Sequence, residues 1–180
     1  VKRNTPPFTY VGVVHQWLAP GHLWLHQTPY LLKLKPAVLD AERSKHKEKS
    51  DCTAEEHFGF RSVLCSLLWL CVTRIDIIHE VVNLQQAMKT PVVMDVKMAN
   101  NLLNRAKRTA TFNGLHFRRL KFPLRLCSVA DCGGGSKKAQ YPFEGKMVLL
   151  MTDDYSDMRS EWLDHNESVR LGGHGHPLFF

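Results

Sequence analysis

The sequence predicts an α+β fold, with strand-forming segments towards both ends and helices between them. Three observations predict it. Residues 8–27 are rich in β-branched and aromatic side chains, the composition of strands. Through 58–106, apolar residues instead recur at three- and four-residue steps, the repeat of a half-buried helix. Beyond Asn113-Gly114, alternation appears in 115–120 and 124–129, and 146–151 reads as another strand after the turn at Glu144-Gly145.

Phe8 to Leu18 and Leu23 to Gln27 read as a hairpin, with Ala19-Pro20-Gly21 as the turn. Thr28-Pro29-Tyr30 starts a short helix, Thr28 as N-cap and Pro29 in the first turn, with Lys33 and Lys35 on its polar side. Asp40 to Asp51 carries charges of both signs and no apolar residue beyond Ala41. It reads as an unstructured linker, because nothing there offsets the entropy of ordering.

Thr53-Ala54-Glu55-Glu56 is a capping box, so a helix starts there. Its core stripe is Phe60, Val63, Leu64, Leu67, Leu68 and Cys71. A short polar joint, Thr73-Arg74, leads to a second helix with Ile77, Ile78, Val81, Val82, Leu84 and Met88 inward. Thr90-Pro91 opens a third, whose stripe is Met94, Met98, Leu102, Leu103 and Ala106. Arg105, Lys107 and Arg108 complement the dipole at its end. Two strands follow around Phe122-Pro123, with Asp131 just past the second, and Lys146 to Met151 forms another.

A chain of 180 residues with 44% hydrophobic content holds one ordinary domain or two small ones. Its net charge of +7 favours polyanionic partners, nucleic acid first. Five cysteines in no regular framework point to reduced thiols inside a cell, in cytoplasm or nucleus, and not to secretion. The longest apolar run, Val63 to Val72, is too short to span a bilayer, so no membrane role is expected. The opening without Met and the close on Leu178-Phe179-Phe180 read as a fragment.

Phe60-Arg61-Ser62, Ser66-Leu67-Leu68-Trp69-Leu70 and Thr73-Arg74-Ile75-Asp76-Ile77 resemble the polymerase–RNase H junction of copia-type retrotransposon Pol polyproteins. The resemblance spans Phe8 to Leu150 and is strongest from Phe60 to Asp76. It implies a palm-end hairpin and short helix at 1–39, a charged linker at 40–52, thumb and connection helices at 53–112, and a partial RNase H-like mixed sheet at 113–180. Tyr10-Val11-Gly12 matches the primer grip of reverse transcriptases, where glycine admits a phosphate closely. By the same resemblance, Tyr10, Gly12, Lys33, Lys35, Arg105, Lys107 and Arg108 touch an RNA–DNA hybrid or template–primer duplex. Asp131 matches the first RNase H carboxylate, which binds Mg²⁺. Other parts of the Pol polyprotein are the implied protein partners.

The sequence departs from that family in its chemistry. No Tyr-x-Asp-Asp motif precedes the hairpin, and the RNase H glutamate has no counterpart before the chain stops. Cys132-Gly133-Gly134-Gly135 replaces the usual step after the first Asp. The parent would be an RNA-directed DNA polymerase with RNase H activity, whereas this chain alone is expected to be inactive. Asp153, Asp154 and Asp157 read as a solvated loop, and His174 and His176, with His165 nearby, as a glycine-rich segment without metal-ligand spacing. Two other readings fit the same sequence: a non-catalytic nucleic-acid-binding remnant of a decayed element, or a helical protein-interaction module.

Overall fold

The computed structural model describes residues 7–46, 48–133 and 143–152. They form two compact units, one ending at Arg119 and one starting at Leu120. The first combines all the described helices with a four-stranded antiparallel sheet, and the described part of the second is a two-stranded antiparallel sheet, so the chain is α+β.

The first unit opens with three antiparallel strands, β1 (Phe8–Tyr10), β2 (Val13–Ala19) and β3 (His22–His26). The segment expected to be one long strand is therefore two. Val11 and Gly12 both take left-handed φ, 45° and 72°, and reverse the chain between Tyr10 and Val13. Positive φ at both central residues is what a two-residue hairpin turn demands. The second turn falls at Pro20-Gly21 as expected, with Gly21 at φ 80° after a bulge between Trp17 and Ala19.

Residues Leu115–Arg118 form β4, which pairs antiparallel with β3 and completes a four-stranded sheet in the order β1-β2-β3-β4. The sequence had assigned this strand to the last part of the chain. Pairing satisfies the backbone groups along the open side of β3, a requirement that local alternation does not reveal.

Helix α1 (Thr28–Lys33) follows the sheet. Gln27, not Thr28, is its N-cap residue, and the Thr28 hydroxyl instead donates to the Ala110 carbonyl at 2.6 Å. The charged segment is not an unstructured linker. It contains α2 (Ala41–His46), and Arg43 forks onto the Glu56 carboxylate at 2.9 and 3.0 Å while donating to the Asp51 carbonyl. Lys97 bonds Glu48 at 2.5 Å and the Ser44 carbonyl at 3.1 Å. Charge-assisted and backbone hydrogen bonds thus order a stretch that has almost no apolar surface.

Helix α3 (Ala54–Leu70) begins with the expected capping box. The Glu56 N–H donates to Thr53 Oγ1 at 3.2 Å, and the Thr53 N–H donates back to the Glu56 carboxylate at 2.8 Å. Its Phe60, Leu64, Leu67 and Leu70 are wholly buried, each contributing about 1.5–3 kcal/mol on removal from water. They pack with α4 (Ile78–Gln85), entered through a 3-10 turn at Ile75–Ile77, and with α5 (Val93–Arg108).

Helix α5 buries Leu102, Leu103 and Ala106 as expected, but its first half turns a different side inward. Met94 and Met98 are exposed, while Val93, Val96, Ala99, Leu103 and Ala106 face the core. Short side chains let α5 approach α3 closely, and the longer methionines stand at the flank. Thr90 does not cap it. The Asp95 carboxylate accepts the Val92 N–H at 2.9 Å instead.

The second unit contains a hairpin of two ten-residue strands, β5 (Leu124–Gly133) and β6 (Phe143–Thr152), paired from Leu124↔Thr152 to Gly133↔Phe143. Asp131 was expected past the strand end. Its backbone lies within β5, opposite Gly145, because the small residues around it let the ladder continue.

Candidate nucleic-acid interface

The chain contains no aspartate or glutamate in residues 1–39 or 96–130. These two stretches are far apart in sequence, yet the first unit folds residues 7–39 and 96–119 together. Strand β4 joins β3, the Asn100 side chain bonds both backbone groups of Ala37 at 2.8 and 2.9 Å, and Thr28 bonds the Ala110 carbonyl. Lys107 Nζ donates to the Leu34 carbonyl, which brings the end of α5 beside Lys33 and Lys35. The sheet, α1 and the last turns of α5 therefore share one region free of their own carboxylates. Such segregation, more than total charge, attracts a polyanion.

The expected contact residues divide within this region. Lys33, Lys35 and Arg108 are exposed. Arg105 is bonded to Glu80 at 2.5 Å, and Lys107 has the Leu34 carbonyl as partner, so both help to hold α5 in place. Tyr10 is exposed beside the β1–β2 turn. Gly12 sits against Trp69, where an added Cβ would lie 3.7 Å from the indole Nε1.

Beneath the turn lies a buried polar node that fixes sheet and helices to one another. With its amide oriented to satisfy both ends, Gln27 donates to Thr73 Oγ1 at 2.9 Å and to the Trp69 carbonyl at 3.3 Å. It accepts from Trp69 Nε1 at 2.8 Å. Arg74, 3% exposed, forks onto Asp76 with two 2.7 Å bonds and also reaches the Ala106 carbonyl and Thr109 Oγ1 at 3.1 and 2.8 Å. The joint read from sequence as a polar break is thus a tie between α3, the 3-10 turn and the end of α5.

The inner face of the sheet is closed by the chain around Gly114. A Cβ there would lie 2.4 Å from Trp24 Nε1 and 2.5 Å from the Leu25 carbonyl oxygen. Trp24 stacks on His26 with centroids 3.9 Å apart. His26 Nδ1 lies 2.9 Å from Thr28 Oγ1 and accepts from the Thr28 N–H at 3.3 Å, while the Thr28 hydroxyl donates onward to Ala110. Burial lowers the pKa of His26.

Among the described residues, no three His, Cys, Asp or Glu form a group able to hold a metal ion. Asp153, Asp154, Asp157, His165, His174 and His176 lie outside the described residues. No described helix is long and apolar enough to cross a membrane. Searches of protein-family models, curated proteins and solved structures each find no match to this chain.

Proposed function

We propose that this chain is the template–primer-holding part of a retrotransposon Pol polyprotein of copia type, without polymerase or nuclease activity on its own. The observation that carries the reading is the convergence, within the first unit, of residues 7–39 and 96–119, which are free of carboxylates and include a glycine-tipped hairpin and the cationic ends of two helices. Tyr10 and Gly12 meet the primer strand, while Lys33, Lys35 and Arg108 neutralise phosphates. Arg105 and Lys107 add positive potential from fixed positions. On this reading the second unit is the start of an RNase H-like sheet, and Asp131 with Mg²⁺ belongs to the intact parent. The partners are an RNA–DNA hybrid or template–primer duplex and other Pol segments, inside the cell.

The turn geometry also supports it. Val11 is β-branched, left-handed and 62% exposed, an unfavourable choice for a loop under structural demands alone. The test is fluorescence anisotropy with a labelled primer–template duplex over a salt series. Logarithmic affinity is expected to fall linearly with log salt, at about 0.9 per neutralised phosphate. Replacing Lys33, Lys35 and Arg108 together by Ala should reduce that slope by about 2–3. Absence of duplex binding at low salt would overturn the reading.

A further inference from the structure

We propose that the outer face of the four-stranded sheet is a stacking platform for unpaired nucleotides, so that the chain binds single-stranded nucleic acid there. This rests on the nucleic-acid reading above but assigns a different surface and a different substrate.

The strand register puts Trp17, Leu23 and Phe117 in one row across β2, β3 and β4. Phe8, His15, Leu25 and Leu115 form the next row on the same face. Rows two residues apart along a strand are separated by about 7 Å. The opposite face carries Trp24 and His26, which are buried. Trp17 and Phe117 are 51% and 52% exposed, so flat aromatic surface stands open on the outer side. Phe8 and His15 are already stacked, with centroids 4.6 Å apart and planes 9° from parallel.

Charge decides what such a face suits. The sheet strands contain no carboxylate, and four histidines lie on them. Arg119, exposed, sits at the rim by the β2–β3 turn, where its N–H donates to the Gly21 carbonyl at 2.8 Å and its Cβ packs against Gly21. Aromatic side chains interleaved with cations recognise unpaired bases, whose π-faces are free to stack. In a duplex those faces are covered by neighbouring base pairs. The backbone of a stacked strand would be neutralised by Arg119 and the positive field of the acid-free region.

The experiment compares W17A, F117A, the double variant and W17F with the unaltered chain, using labelled oligo-dT and a blunt duplex of the same length. Thermal midpoints serve as a control for folding. Each alanine variant should weaken oligo-dT binding roughly tenfold or more. Duplex affinity should stay within about twofold, and W17F should keep most single-strand affinity. Unchanged oligo-dT binding by the double variant would overturn the proposal. Duplex binding without oligo-dT binding by the unaltered chain would overturn it too, while leaving the duplex reading standing. Loss of self-association in sedimentation, with oligo-dT binding unaffected, would make the face a protein interface and equally overturn it.

Discussion

Replacing Arg74 by Met removes the guanidinium but keeps most of the buried stem, so its cost isolates the polar tie. Two components set the magnitude. The Ala106 carbonyl and Thr109 hydroxyl keep their 3.2 Å bond to each other but lose a charged donor where Arg74 is 3% exposed, and hydrogen bonds to a charged group are worth about 1.5–3 kcal/mol. The two bonds to Asp76 count for less, because that side chain is 44% exposed and regains water. Solvent screening limits the pair to about 1 kcal/mol or below. The expected loss is therefore about 2–4 kcal/mol, which for a unit of this size lowers the midpoint by roughly 10 °C. Urea unfolding followed by far-UV circular dichroism measures it. D76N, which leaves the bonds to Ala106 and Thr109 intact, should cost about 1 kcal/mol or less. A loss below 1 kcal/mol for R74M, or equal losses for both variants, would refute the assignment of the tie to α5.

Four other outcomes follow from the same geometry. G114A should lose about 1–3 kcal/mol, since its Cβ would collide with the Trp24 indole and the Leu25 carbonyl, and near-UV dichroism of the indole should change with it. V11N should gain about 1 kcal/mol in thermal unfolding by relieving a left-handed β-branched residue, and a loss would show that the turn depends on the Val side chain. Stability should fall on acidification in two windows, read by urea midpoints against pH. Burial depresses His26, so its contribution is complete above its unfolded value near 6.5 and declines as pH falls below that. Arg43 hydrogen bonding depresses Glu56, whose contribution is present above about 4.5 and lost at lower pH; H26Q should flatten the first window and E56Q the second. Burial pushes the Cys52 and Cys71 thiols up to about 11, so at pH 8 iodoacetamide should label exposed Cys65 well before either, by peptide mass spectrometry.

Local signals were legible in the sequence where one short segment contains both partners of an interaction. The capping box of α3 holds donor and acceptor three residues apart, and Pro20-Gly21 sets its own dihedrals. Helix stripes were legible in kind but not always in phase. Met94 and Met98 fit the helical repeat as well as Val93 and Val96, and only the close approach of α3 selects the smaller set. The charged segment was misread because burial alone was counted, whereas Arg43 and Lys97 order it through partners 13 and 49 residues distant.

The candidate interface had the same long-range character. Net charge of +7 describes the whole chain, and the described acidic partners lie at 40–95, where Glu48 neutralises Lys97 and Glu80 meets Arg105. The absence of carboxylates from 1–39 and 96–130 is visible in the sequence, the first stretch carrying four Lys or Arg and the second eight, but neither shows that parts of the two meet. Their meaning depends on β3 pairing with β4 and on α1 packing against α5, contacts separated by some seventy to ninety residues. Folding therefore brings residues 7–39 and 96–119 together in the first unit and leaves the acidic middle segment to brace the helices. A polyanion near the first unit would meet Lys33, Lys35 and Arg108 without first displacing a neighbouring carboxylate from the same stretch, and for that reason its affinity should depend on these three more than on Arg105 or Lys107.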